Sequence, residues 1–83
     1  MTGAAEMAQA AATDSAARRE HKAGNFGRAK MFADNAESLR RNAGRKAQQA
    51  GIPWWRNPYE SGSAAAYQWD SGHTAARQSE SVA

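Results

Sequence analysis

"FGRAKMFADNAESLRRNAGRKAQQA", residues 26–50, is the stretch whose spacing decides the fold. Ala29, Phe32, Ala36, Leu39, Ala43 and Ala50 recur in alternating steps of three and four residues, with one step skipped at Lys46. At about 100° per residue these positions share one stripe of an α-helix. Most of the stripe is alanine. A partner helix can therefore come close, although each methyl buries little apolar surface.

The partner precedes it in the chain. Residues 4–23, "AAEMAQAAATDSAARREHKA", have high helix propensity and meet no breaker stronger than Thr13-Asp14-Ser15. "GNFG", residues 24–27, reads as a stop followed by a restart: Gly24 suits a helix C-terminus and Asn25 can cap the next helix. A short turn between two helices predicts an antiparallel hairpin over residues 4–50. Gly24, Phe26, Ala29 and Ala36 also fit half of a tetratricopeptide repeat. The preceding helix lacks that repeat's bulky residues and there is no second copy, so an array is excluded.

On the C-terminal side, Gly51 ends the helix, Pro53 prevents its resumption and Pro58 biases Asn57 towards an extended backbone. "GIPWWRNPYE", residues 51–60, is thus an irregular, semi-rigid strap that holds three of the seven aromatic residues and both prolines. A last helix is expected over residues 61–78, starting at Ser61 or Ser63 and running to about Arg77. On it Ala65, Trp69, Gly72, His73 and Ala76 share a face, with Gly72 leaving room for close backbone contact. The tail, 79–83, is expected to fray. The whole, 1–83, reads as one small all-α domain.

Composition narrows the function. The large apolar residues are few, so the core is shallow and poorly suited to sealing a catalytic cleft. With no cysteine there is neither a disulfide framework nor a thiolate zinc site. No run approaches a membrane span, and "MTGAAEMAQA" lacks the basic start and apolar block of a signal peptide, so a cytoplasmic protein away from membranes is expected. His21 and His73 are the only histidines, on different helices, with no nucleophile pattern, P-loop or metal-ligand spacing. A helix-end role for His21 and a place at the core edge for His73 account for them. No catalytic residue, cofactor or metal site is expected.

Charge carries more information. The formal charge is only +3, but Ser38–Tyr59 contains five basic residues (Arg40, Arg41, Arg45, Lys46 and Arg56) and no acidic one. A charged helix face is ordinarily just a solvated one. Here the excess continues off the helix into Arg56, beside Trp54, Trp55 and Tyr59. Guanidinium groups pair with phosphates and flat rings stack on unpaired bases, so these eight residues form a candidate RNA surface. The competing use of the rings is structural: Trp69 and one neighbour are expected in the core. Trp54 and Trp55 on an extended segment would point opposite ways, leaving one exposed.

"AGI" (50–52), "NPY" (57–59) and "WDSGHTAA" (69–76) together resemble the ribosome modulation factor-like proteins, small proteins of bacteria and phages. The matching positions are Gly51, Pro58, Tyr59, Trp69, Gly72 and Ala76, over roughly the last forty residues. His73 stands where that family often has a second tryptophan, and the N-terminal hairpin lies outside the match. The resemblance implies a helix–strap–helix unit that binds the small ribosomal subunit near the ribosomal RNA 3′ end and favours hibernating, paired ribosomes. The leading expectation is therefore a small basic RNA- or ribosome-binding regulator of translation. The rival is a phage or mobile-element inhibitor or adaptor that binds a protein, or a second copy of itself, through the Ala-rich hairpin.

Overall fold

A computed structural model describes residues 3–82. Among them are three α-helices and no strand: α1 Ala4–Lys22, α2 Phe26–Gln49 and α3 Ala64–Val82, with a 3₁₀ turn at Trp54–Arg56. The chain is all-α. Among the described residues no helix is long and apolar enough to cross a membrane.

Two glycines end the first two helices in the same way. Gly24 and Gly51 take left-handed φ values of 85° and 82°. In the first, Gly24 N–H donates to His21 O at 3.1 Å and Asn25 N–H to Glu20 O at 2.8 Å. In the second, Gly51 N–H donates to Gln48 O at 3.0 Å and Ile52 N–H to Ala47 O at 2.9 Å. This paired pattern satisfies carbonyls that the helix leaves open, and a left-handed residue there is easiest for glycine. Asn25 does not cap α2 with its side chain as expected. Its Nδ2 instead donates back to Glu20 Oε2 at 2.7 Å, tightening the end of α1.

The central helix is α2, which packs against both α1 and α3. Its buried residues are Ala29, Ala36, Ala43, Gly44 and Ala47. Phe32 and Leu39 are only half-buried and Ala50 is exposed, so the expected stripe needs correcting at those positions. The physical reason is that α2 serves two neighbours, and its covered arc turns towards Gly44 and Ala47 where α3 crosses. Across the α1 interface, early residues of α1 meet late residues of α2. Lys46 pairs with Glu6, Arg40 with Asp14, and Arg28 with Glu20.

The crossing of α2 and α3 is backbone on backbone. A Cβ on Gly44 would lie 2.0 Å from the Trp69 carbonyl oxygen, and one on Gly72 would lie 1.8 Å from that of Arg41. Beside this contact Trp69 is buried against Ala43 and Ala47, with Met7, Ile52 and Tyr59 packed around. His73 stacks on Trp69 with ring centroids 5.0 Å apart, and its Nε2–H donates to Ile52 O at 2.7 Å. A carbonyl can only accept, which fixes the hydrogen on Nε2.

The third helix begins on a capping serine: Ser63 Oγ accepts the Ala66 N–H at 3.1 Å and donates to Glu60 O at 2.7 Å. It runs to Val82 rather than stopping near Arg77. Beyond Gly72 no glycine or proline interrupts it, so residues 79–82 continue the helix in place of the expected frayed tail. Residue 83 lies outside the described residues.

Candidate nucleic-acid interface

In the segment between α2 and α3, Asn57 makes three hydrogen bonds. Asn57 Nδ2 donates to Ala66 O at 2.9 Å and to Asp70 Oδ1 at 3.0 Å, while its Oδ1 accepts the Tyr59 N–H at 3.0 Å. The last bond is a local side-chain turn of the kind asparagine favours, here closed just before α3. Asn57 thereby fastens the aromatic segment to the first turns of α3.

Upstream of that fastening the chain curls. Arg56 N–H donates to Pro53 O at 3.1 Å, forming the 3₁₀ turn that carries Trp54 and Trp55. Both indoles are exposed, Trp54 by 56% and Trp55 by 69%. The expectation that one would turn inwards is corrected. A 3₁₀ turn rotates successive side chains by about 120° rather than alternating them, and Trp69, Ile52 and Tyr59 already fill the core beneath. The two rings stand 5.7 Å apart at 86° to each other. They border a hollow of about 240 Å³ whose other walls include Asn57, Tyr59 and Asp70.

The eight sequence-predicted residues divide into four groups. Trp54, Trp55 and Arg56 are exposed together on the turn. Arg41 and Arg45 are exposed on α2, Arg41 lying 3.5 Å from Glu37 and Arg45 donating to Asn42 Oδ1 at 3.0 Å. Tyr59 is half-buried, one part of it in the core and another on the hollow.

Arg40 and Lys46 form a fourth group, which the structure uses to join helices. The Arg40 side chain is 11% exposed; it donates to Asp14 on α1 and, at 2.8 Å, to Gln68 on α3. Gln68 in turn donates to Glu37 at 3.3 Å, so one polar chain ties all three helices. Lys46 donates to Glu6, and the Glu6 carboxyl is held below its ordinary value by that bond first, then by a backbone N–H. Both residues sit on the flank of α2 that α1 covers, a direction the charge count alone does not contain.

The positions that carry the resemblance have structural roles here. Gly51 ends α2, Tyr59 and Trp69 pack in the core, Gly72 makes the helix crossing and Ala76 is buried, while Pro58 is exposed. Asp70 and Gly44 were missed. Gly44 stands next to Ala43 on the small-residue face, a signal that was available. Asp70 is one turn after Ala66, which becomes informative only once Asn57 is known to bond both.

A larger, shallow groove of about 530 Å³ lies away from the rings, along the first half of α2 between Met31, Phe32 and Asn35. Met31 is 72% exposed there, and Phe26, exposed at the α1–α2 turn, touches His21 edge-on. Among the described residues no three His, Cys, Asp or Glu side chains gather closely enough to hold a metal ion.

Compared with protein-family models, curated proteins and solved structures, the chain matches none.

Proposed function

We propose that this chain is a small basic RNA-binding regulator of translation whose target is ribosomal RNA of the small subunit, as the resemblance to ribosome modulation factors implies. In this reading α1 and α2 are a hairpin stalk and residues 51–60 are a strap. Arg41, Arg45 and Arg56 engage phosphates, and the exposed indoles stack on unpaired bases. The chain acts in the cytoplasm by occupying RNA, without catalysis or a cofactor.

One observation carries the reading. Two large rings stand in solvent beside an arginine on a turn that Asn57 fixes to α3. Exposed tryptophans add nothing to a core already filled by Trp69, and stacking on a base contributes about 1–3 kcal/mol. Three phosphate contacts on single-stranded RNA predict a log–log salt slope of about −2. Arg41→Glu with Arg45→Glu should reduce that slope to about −0.7 and weaken binding steeply, with helicity unchanged by circular dichroism. Affinity that ignores both the substitutions and the salt would sink the proposal.

The second reading is a protein-binding adaptor or a homodimer, and the exposed Met31 and Phe26 favour it. Sedimentation at two concentrations, with an RNA shift assay, separates the two. A tight dimer without RNA affinity selects the adaptor.

A further inference from the structure

We infer that the hollow beside Trp54 and Trp55 selects an unpaired guanine within the bound RNA. The inference rests on the RNA reading above and adds to it the identity of the base.

Its polar wall decides the matter. Asp70 borders the hollow, and its Oδ1 already accepts from Asn57 at 3.0 Å, while Oδ2 has no partner among the described residues. An ionised carboxylate has about four acceptor sites and no donor. Asn57 has nothing left to donate, since both its Nδ2 bonds are made within the protein. Tyr59 and Ser61 add hydroxyls to the lining that can donate or accept, but Asp70 alone among the lining residues carries a charge, so it favours an occupant that brings donors to it.

Among the four bases only guanine has two adjacent donors on its Watson–Crick edge, N1–H and the N2 amino group. Adenine and cytosine set one amino group beside a ring-nitrogen lone pair, and uracil sets its single N–H between two carbonyls. A carboxylate repels each of those lone pairs. Charge-assisted bonds to two parallel donors are the stronger kind and fix the plane of the base. The perpendicular indoles suit that plane: one ring face can be stacked upon while the other closes the side. At about 240 Å³ the hollow is smaller than the roughly 300–1,000 Å³ that drug-sized ligands occupy, which fits one flat ring system. Asn57 holds the carboxylate in place beforehand, so little ordering remains for binding.

The test is fluorescence anisotropy of a short labelled uridine-rich RNA carrying guanosine, inosine or adenosine at its centre. Inosine keeps N1–H and lacks the amino group. Guanosine should bind roughly 5- to 150-fold more tightly than adenosine, the range of one good bidentate pair, with inosine between them. Asp70→Asn should bring guanosine and adenosine within about twofold of each other. The base series in the unaltered protein stands even if that variant misfolds. RNA binding with equal affinity for guanosine and adenosine overturns the guanine inference and leaves the RNA reading in place. No binding of any RNA removes both. Displacement of the guanosine RNA by millimolar choline, but not by its neutral tert-butyl isostere 3,3-dimethylbutanol, would identify a cation-trapping corner instead and overturn the inference.

Discussion

Gly44, Gly72 and Gly27 are all helical glycines, and their surroundings assign them opposite fates on substitution. At Gly44 and Gly72 an added methyl would strike a carbonyl oxygen of the facing helix at 2.0 and 1.8 Å, so the helices must separate. Overpacking of this kind costs about 1–3 kcal/mol, and rigid backbone on both sides puts these two at the upper end. Around Gly27 there is open space, and its φ is not in the left-handed range. Gly27→Ala should stabilise by about 0.5 kcal/mol, because alanine loses less backbone entropy in a helix. Chemical denaturation of the three single variants checks the contrast; equal effects at Gly27 and Gly72 would mean that α2 and α3 do not cross there. Trp69 belongs to the same neighbourhood. Its ring covers Ala43 and Ala47 of α2, which have only methyls to present in return.

At the scale of elements, α1 stays on α2 through alanine faces supplemented by ion pairs. The Glu6–Lys46 pair gives this interface a pH dependence of known sign. The Glu6 carboxyl is held below its ordinary value of 4.5, chiefly by the Lys46 hydrogen bond. Its contribution is therefore fully present above about pH 4.5 and is lost as pH falls through the lowered value. Glu6→Gln should lower the melting temperature at neutral pH and flatten that part of the acid limb. A variant with the same acid limb as the parent would show that the pair does not couple to folding. Much at this scale was legible beforehand: α1, α2, the glycine stops at Gly24 and Gly51 and the small-residue face all follow from local propensity and period. What was not legible depends on direction in space. Helical spacing puts Arg41 and Arg45 away from the alanine stripe and Arg40 and Lys46 on its flank, but not that Asp14 and Glu6 of α1 meet them there. Trp54 and Trp55 look like an in–out pair until a three-residue turn replaces the extended segment. Asp70 gains a role only through Asn57, which is distant from it in sequence. Charge and aromatic content were readable, whereas their orientation was set by packing.

As a whole the molecule measures 46 × 23 × 22 Å, and its two candidate surfaces lie towards opposite ends of α2. That helix has 24 residues and so is about 36 Å long. The indole turn follows its last residue, while Phe26 and Met31 sit in its first turns. Sites so far apart without shared partners should behave additively. Met31→Glu should therefore leave RNA affinity within about twofold, whereas Trp55→Ala should weaken it by roughly tenfold, the equivalent of one lost stack. A large loss from Met31→Glu in an anisotropy titration would mean that the apolar end takes part in RNA binding. The glycine crossing between α2 and α3 has a last consequence for this geometry. Where two main chains touch, there is no long side chain to re-rotamer and no slack to take up. The backbone interval from the Arg41–Arg45 turn of α2 to the part of α3 that Asn57 ties to the indole segment is thus held, and only the side chains at its two ends adjust. A strand that bridges both would be measured by the protein, and a kink or insertion of one nucleotide would break the fit.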